Sequence, residues 1–276
     1  MTIGILAALR EEASHLLADL EPGGRRTRIA LRDYTSGTIH GHDCVIVLAR
    51  IGKVAAATTA TALIEHFGVD RLIFTGVAGG VAPGLRIGDV VIADTLVQHD
   101  LDARPFFPRH EIPLLDTSHC AADPDLTGRL ETAAQAFLDG TIWQRIGPDV
   151  RRQFDLVQPR VHRGLIASGD QFIGSATGVR ALREALPDAL AVEMEGAAVA
   201  QVCHEYGIPF AVMRTVSDTA DDQAHRDFPA FLGQVASHYA HGILQCLFEA
   251  GIPPAGPART DPQPPLNAPG LKARAT

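Results

Sequence analysis

Cysteine is scarce and scattered in this sequence. Cys44, Cys120, Cys203 and Cys246 lie far apart and form no C-x-x-C pair. Neither a disulfide framework nor a thiolate metal site is expected, and buried free thiols in a cytoplasmic protein are. No apolar stretch reaches the roughly 20 residues of a membrane span before a charge interrupts it. The N-terminal run Thr2–Ala8 has no preceding basic residue and soon meets Arg10-Glu11-Glu12, so it reads as a buried first strand and not a signal peptide. Clustered basic residues are missing too. The net charge is −8 and the sequence pI about 5.8, which argues against a nucleic-acid or anionic-membrane partner. The pairs Arg25-Arg26 and Arg151-Arg152 are not extended into patches and read as solvated turns. Twelve histidines are present, but His40 with His42, and His238 with His241, have no acidic or Cys partner at ligand spacing. Surface histidines are the better reading, and no metal is expected.

What the chain does have is an apolar fraction of 46%, enough for a full core, in short runs that alternate with helical patterns. Strands are read at Thr2–Ala8, Cys44–Ala49, Arg71–Phe74, Asp89–Ala93, Gly164–Ala167, Leu190–Val192 and Pro209–Val216. Between them lie helical patterns at Val54–His66, Leu126–Leu138, Thr177–Leu186 and Glu195–Tyr206, with a closing helix over Phe228–Ala250. Arg28–Ile39 alternates and turns at His40-Gly41-His42-Asp43 into Cys44–Ala49, as a hairpin would. Thr75–Gly80 reads as a small-residue loop, and Asp102–Asp125 is too irregular for either period. The expected fold class is α/β: one layered domain over residues 1–250, with a mixed, largely parallel central sheet flanked by helices. From Gly251 the Pro/Gly/Ala-rich tail has no periodicity and is expected to be disordered.

In such sheets ligands bind beyond the carboxyl ends of strands, and three of these places carry acidic residues. Glu11-Glu12 follows the first strand, where a carboxylate can equally serve the helix dipole. Glu193-Met194-Glu195 follows the short strand at Leu190–Val192. Burying two carboxylates together is costly, although one of them could cap the next helix. Ser217-Asp218 ends the strongest apolar strand, while Asp221 and Asp222 read as ordinary helix caps. The Gly76–Gly80 segment is neither G-x-G-x-x-G nor a P-loop, and its glycines suit close backbone approach.

Six segments occur in a telling order: Met1–Glu12, Ile51–Ala55, Thr75–Pro83 with Gly88–Val91, Ser168–Ile173, Val192–Ala198 and Ser217–Asp221. Together they resemble the 5′-methylthioadenosine/S-adenosylhomocysteine nucleosidases of the purine nucleoside and uridine phosphorylase superfamily, over roughly Met1 to Phe248. The resemblance implies hydrolysis of an adenine–ribose bond. Asp218 would protonate adenine N7, oriented by Ser217, and Glu12 would activate water. Glu195 would hold the ribose hydroxyls, with Met194 against the sugar and Glu193 nearby. Phe172 would stack on adenine and Ile173 would contact it, while Leu9, Ile51 and Phe228 would line the sugar and 5′ side. Phe106 and Pro113 would close a neighbouring subunit's pocket, which implies a homodimer. No cofactor is implied.

Such chemistry needs Asp218 to hold a proton near neutral pH and Glu12 to be ionised. Val77 departs from the hydroxyl residue usual in these nucleosidases, and Leu9 from their usual Met. Three rivals remain: a phosphorylase, a hydrolase of a related nucleoside such as futalosine, and a non-catalytic nucleoside-binding protein. Phe74 and Val77, standing where a phosphate site would want Arg and a hydroxyl, weigh against the first.

Overall fold

The computed structural model describes residues 1–20, 23–219 and 224–253, the side chains of 224–227 excepted. The caps expected at Asp221 and Asp222, and the tail beyond residue 253, lie outside these residues.

The chain opens with β1 (Thr2–Ala7), whose Ile3, Ile5 and Leu6 are fully buried, and enters α1 (Arg10–Leu20) almost directly. β2 (Arg25–Ile29), β3 (Arg32–Ile39) and β4 (His42–Leu48) form an antiparallel meander. Arg25 and Arg26 therefore sit in a strand and not in a turn. The alternating run from Arg28 is not one strand, for it breaks at Ala30-Leu31, both at positive φ. After α2 (Lys53–Phe67) come β5 (Arg71–Phe74), β6 (Val77–Gly80), β7 (Val90–Gln98) and β8 (His119–Ala121). β6 corrects the loop expected there. Its glycines have poor strand propensity, but their backbone groups are paired on both sides, with β10 (Ala189–Glu193) and β11 (Phe210–Asp218).

The helical segments are α3 (Pro124–Asp139), α4 (Ile142–Arg145), α5 (Pro148–Gln153), α6 (Ala176–Ala185) and α7 (Gly196–Tyr206), with β9 (Val161–Ser168) between α5 and α6. Arg151 and Arg152 belong to α5. Arg151 lies 3.9 Å over the Trp143 ring and Arg152 pairs with Asp149, so these are not turn residues. The closing helix is not continuous. α8 (Ala224–Phe231) is separated from α9 (Ser237–Ala250) by a π-helical turn, Leu232–Ala236, a distortion common beside functional sites.

The sheet order is β2-β3-β4-β1-β5-β11-β6-β10-β9-β7-β8, and β7 also pairs with β11. β11 thus closes β6, β10, β9 and β7 into a five-stranded barrel that grows out of the parallel β4-β1-β5 layer. α1, α3 and α9 pack over one apolar face, and α2 and α7 over the other. β11 is buried along its whole length. Its C-terminal end, the end of β1 and the end of β10 open on one side of the barrel.

All four cysteines are free and three are buried, with burial pushing the Cys44 thiol up to about 12. No helix among the described residues is long and apolar enough to cross a membrane.

Candidate active site

A cavity of about 260 Å³ opens at these strand ends. It brings together Leu9, Glu12, Ile51, Val77, Phe172, Ile173, Glu193, Met194, Glu195, Asp218 and Phe228, from separated parts of the chain. Ser217 lies just behind the wall. Phe106 and Pro113 do not line the cavity of their own chain, and Phe106 is 46% exposed.

Glu12 is only 3% exposed. Its Oε2 accepts the Leu9 N–H at 2.8 Å, the reach of a third-position helix carboxylate back to the helix start. The helix-stabilising role is therefore real. The same carboxyl also spans the fold to accept the Val77 N–H at Oε1, 3.3 Å away. Gly76 is needed for this approach, since a Cβ there would lie 3.0 Å from Glu12 Oε1. Burial raises the Glu12 pKa, against the N–H of Leu9, the Arg214 charge and the N–H of Val77, which lower it. The direction differs from the plainly ionised carboxylate expected from sequence. A base displaced upward is also a stronger proton acceptor near neutral pH.

Asp218 is 2% exposed and ends β11 where its register against β6 shifts between Val216 and Asp218. A bulge of this kind re-aims a side chain, here towards the cavity. Ser217 Oγ donates to Asp218 Oδ2 at 2.7 Å, which fixes the carboxyl orientation.

The two carboxylates after β10 divide their tasks. Glu193 lines the cavity, yet its oxygens are taken up by the protein. They accept from Ser168 Oγ, from the N–H groups of Glu195 and Gly196, and from the buried Arg214 guanidinium at 2.6 Å. Glu193 is thus the carboxylate that caps α7 while it also lines the cavity. Glu195 accepts one N–H, from Gly52 at 2.8 Å, and keeps the rest of its acceptor capacity for the cavity. Gly52 adopts φ 97°, a conformation only glycine takes freely, and a Cβ there would meet Asp170 Oδ1 at 3.1 Å.

Burial pushes the Glu195 pKa up to about 8, reinforced by the neighbouring Glu193 and opposed by the Gly52 N–H and Arg214. A stability prediction follows from the sign. The folded chain holds this proton more tightly than the unfolded chain, so from the ordinary Glu range up to about pH 8 raising the pH costs stability. Glu195→Gln keeps the acceptor for Gly52 and removes the penalty. Melting curves at pH 5 and pH 8 should show the variant gaining on the parent as pH rises, by at least about 2–4 °C at pH 8. Parallel pH slopes for the two proteins would rule this out.

Several supporting residues leave little trace in the sequence. Arg214, 1% exposed, pairs with Glu193, donates to the carbonyls of Phe74 and Met213, and lies 4.1 Å over the Phe74 ring. Its charge acts on both Glu12 and Glu195. Asp170 accepts the Lys53 N–H at 2.8 Å, and Asp100 accepts both the Asp170 N–H and Lys53 Nζ. These bonds tie the Phe172 loop to the start of α2. Phe172 is 52% exposed and meets Phe228 edge-on at 5.9 Å between centroids. The sequence signal for Arg214 is a lone cation inside an otherwise apolar strand.

Three of the four histidines considered for metal binding have other partners, His238 meeting the His15 ring at 4.6 Å between centroids. His42 stacks on Phe248, and His241 contacts Asp19 and Arg145. Among the described residues no group of three or more His, Cys, Asp or Glu is placed to hold a metal.

Comparison with known proteins places this architecture. The phosphorylase superfamily model matches residues 2–247. A 5′-methylthioadenosine/S-adenosylhomocysteine nucleosidase of Anoxybacillus flavithermus is 37% identical over 239 residues, 86% of this chain and 94% of its own. Such a nucleosidase from Streptococcus pneumoniae, solved with the transition-state inhibitor MT-ImmA, superposes with a TM-score of 0.76 at 34% identity, covering 90% of this chain and 98% of that one. A futalosine hydrolase of Helicobacter pylori superposes equally well, with a TM-score of 0.76, 32% identity and coverage of 90% and 98%. The chain belongs to the phosphorylase superfamily.

Proposed function

We propose that this protein hydrolyses the N-glycosidic bond of 5′-methylthioadenosine and S-adenosylhomocysteine, releasing adenine and the 5′-thio-substituted ribose. One observation carries the choice of water over phosphate. The cavity is lined by four carboxylates, Glu12, Glu193, Glu195 and Asp218, and by no Lys or Arg among the described residues. A phosphate dianion needs cationic donors, and the described lining offers none, whereas a neutral water needs only an acceptor such as Glu12. The nearby guanidinium of Arg214 is already engaged by Glu193.

In this reading Asp218 delivers a proton to N7 of adenine, so the base departs neutral. Glu12 takes a proton from the attacking water, and Glu195 accepts from the ribose hydroxyls. Met194 packs on the sugar, and Phe172 and Ile173 enclose the base. Glu12, in its ionised form, also favours the positive charge that builds as the bond breaks. No step calls for a cofactor. Val77 cannot offer a hydroxyl to the water, which leaves its positioning to Glu12. The exposed Phe106, with Pro113, closes the pocket of a second subunit, so that a homodimer is the working form. The free thiols fit a cytoplasmic setting.

A second reading, hydrolysis of futalosine, is favoured by the equal likeness to the Helicobacter pylori enzyme of that name. A panel of methylthioadenosine, S-adenosylhomocysteine and futalosine at equal concentration separates the two. Adenine release that outpaces cleavage of futalosine by tenfold or more is expected. The reverse order would transfer the assignment to futalosine.

A further inference from the structure

Beside the catalytic cavity lies a second, larger one of about 490 Å³, and the two share Ala8, Leu9 and Ile51 as a common wall. Its lining has the opposite electrical character. Arg10, Arg26, Arg32 and Arg50 line it with a single carboxylate among the described residues, Asp33, in a chain whose net charge is −8. Among the described residues Arg10, Arg32 and Arg50 are not paired with a carboxylate.

Exposed arginines are usually no more than a solvated face, but three features here point further. Arg32 is half-buried and held by the carbonyls of Ala30, Ala49 and Ala55, so its charge is fixed in place. Arg50 holds a left-handed backbone, φ 68°, which is unfavourable for any side chain with a Cβ. It donates one bond, to the Leu31 carbonyl at 2.7 Å, leaving most of its donor fork unused. Finally, the cavity adjoins the catalytic one, with Ala8, Leu9 and Ile51 lining both.

The direction of a bound nucleoside follows from the proposed function, on which this inference rests. The base lies at Asp218 and Phe172 and the ribose at Glu195. Gly52, bonded to Glu195, then places Ile51 beyond the sugar. A substituent on the 5′ carbon would leave the catalytic cavity past Leu9 and Ile51 and enter the arginine-lined one.

We propose that this second cavity is a subsite for a 5′ substituent ending in an amino-acid group, with Arg10 and Arg50 receiving its carboxylate and Asp33 its ammonium. S-adenosylhomocysteine carries such a terminus and methylthioadenosine does not. Arg10 and Arg50 are then specificity-determining residues that leave the bond-breaking step untouched.

The test is the ratio of kcat/KM for S-adenosylhomocysteine to that for methylthioadenosine, measured for the parent protein, Arg10→Gln, Arg50→Gly and the double variant. Glycine suits the φ at residue 50, so that variant is not expected to fold poorly. The ratio should fall about tenfold in the double variant, the scale of a charge-assisted contact near solvent, with methylthioadenosine cleavage unchanged. The methyl ester of S-adenosylhomocysteine, offered to the unaltered protein, should lose the same factor. An unchanged ratio, or equal losses on both nucleosides, would overturn the subsite while leaving the nucleosidase reading intact. No adenine from either nucleoside with the parent protein would overturn both.

Discussion

Asp218→Asn is expected to lower kcat for adenine release by about 10²–10⁴-fold, the usual range for losing a general acid, while KM changes little. The substitution is nearly isosteric. The new side-chain amide could still accept from Ser217 Oγ, now 2.7 Å from Asp218 Oδ2, and the bulged end of β11 has no reason to move. What disappears is the proton that neutralises the departing adenine. A ribosyl substrate whose leaving group departs without protonation, such as a 4-nitrophenyl 5-thioriboside, should therefore be cleaved at close to the parent rate. Equal losses on both substrates would mean that Asp218 positions the nucleoside and does not protonate it.

Glu12→Gln should be comparably severe, with kcat down about 10²–10⁴-fold, because the water then has no base. The pH profile distinguishes a base from a structural group. Deprotonated Glu12 is the active form, so kcat/KM should fall as pH drops through its pKa. That limb should lie above the ordinary carboxylate range, since burial outweighs the N–H groups of Leu9 and Val77 and the charge of Arg214. The variant should lack the limb altogether. Some stability should be lost as well, because a Gln amide cannot accept both N–H groups that Glu12 accepts now. An acidic limb that persists unchanged in Glu12→Gln would assign it to another group.

The positions of the carboxylates proposed as acid and base are legible in the sequence because each breaks an apolar pattern at or beyond the end of a strand, while their proposed roles come from the resemblance. Asp218 follows a run of buried residues from Phe210, and Glu12 follows β1 within one helical turn. Their company is not legible. Arg214 lies 21 residues from Glu193, and only the closing of the barrel between β10, β6 and β11 brings them to 2.6 Å. Nothing local marks that pair, and nothing local tells which of Glu193 and Glu195 caps α7. β6 escapes a sequence reading for a related reason, since Ala78, Gly79 and Gly80 are strand only by virtue of their neighbours. β2 is hidden because its arginines face solvent and its turn is made by Ala30 and Leu31, residues that seldom take positive φ. Phe106 and Pro113 lie away from the pocket within one chain, and their assignment to a second subunit is part of the proposal.

The most direct measurement is to incubate the purified protein with methylthioadenosine, with and without phosphate, and identify the sugar product. Adenine with free methylthioribose in both samples is expected, at the same rate. A phosphorylated sugar formed only when phosphate is present would contradict the proposed hydrolysis, and with it the inference that a cavity lined by Glu12, Glu193, Glu195 and Asp218 excludes that anion.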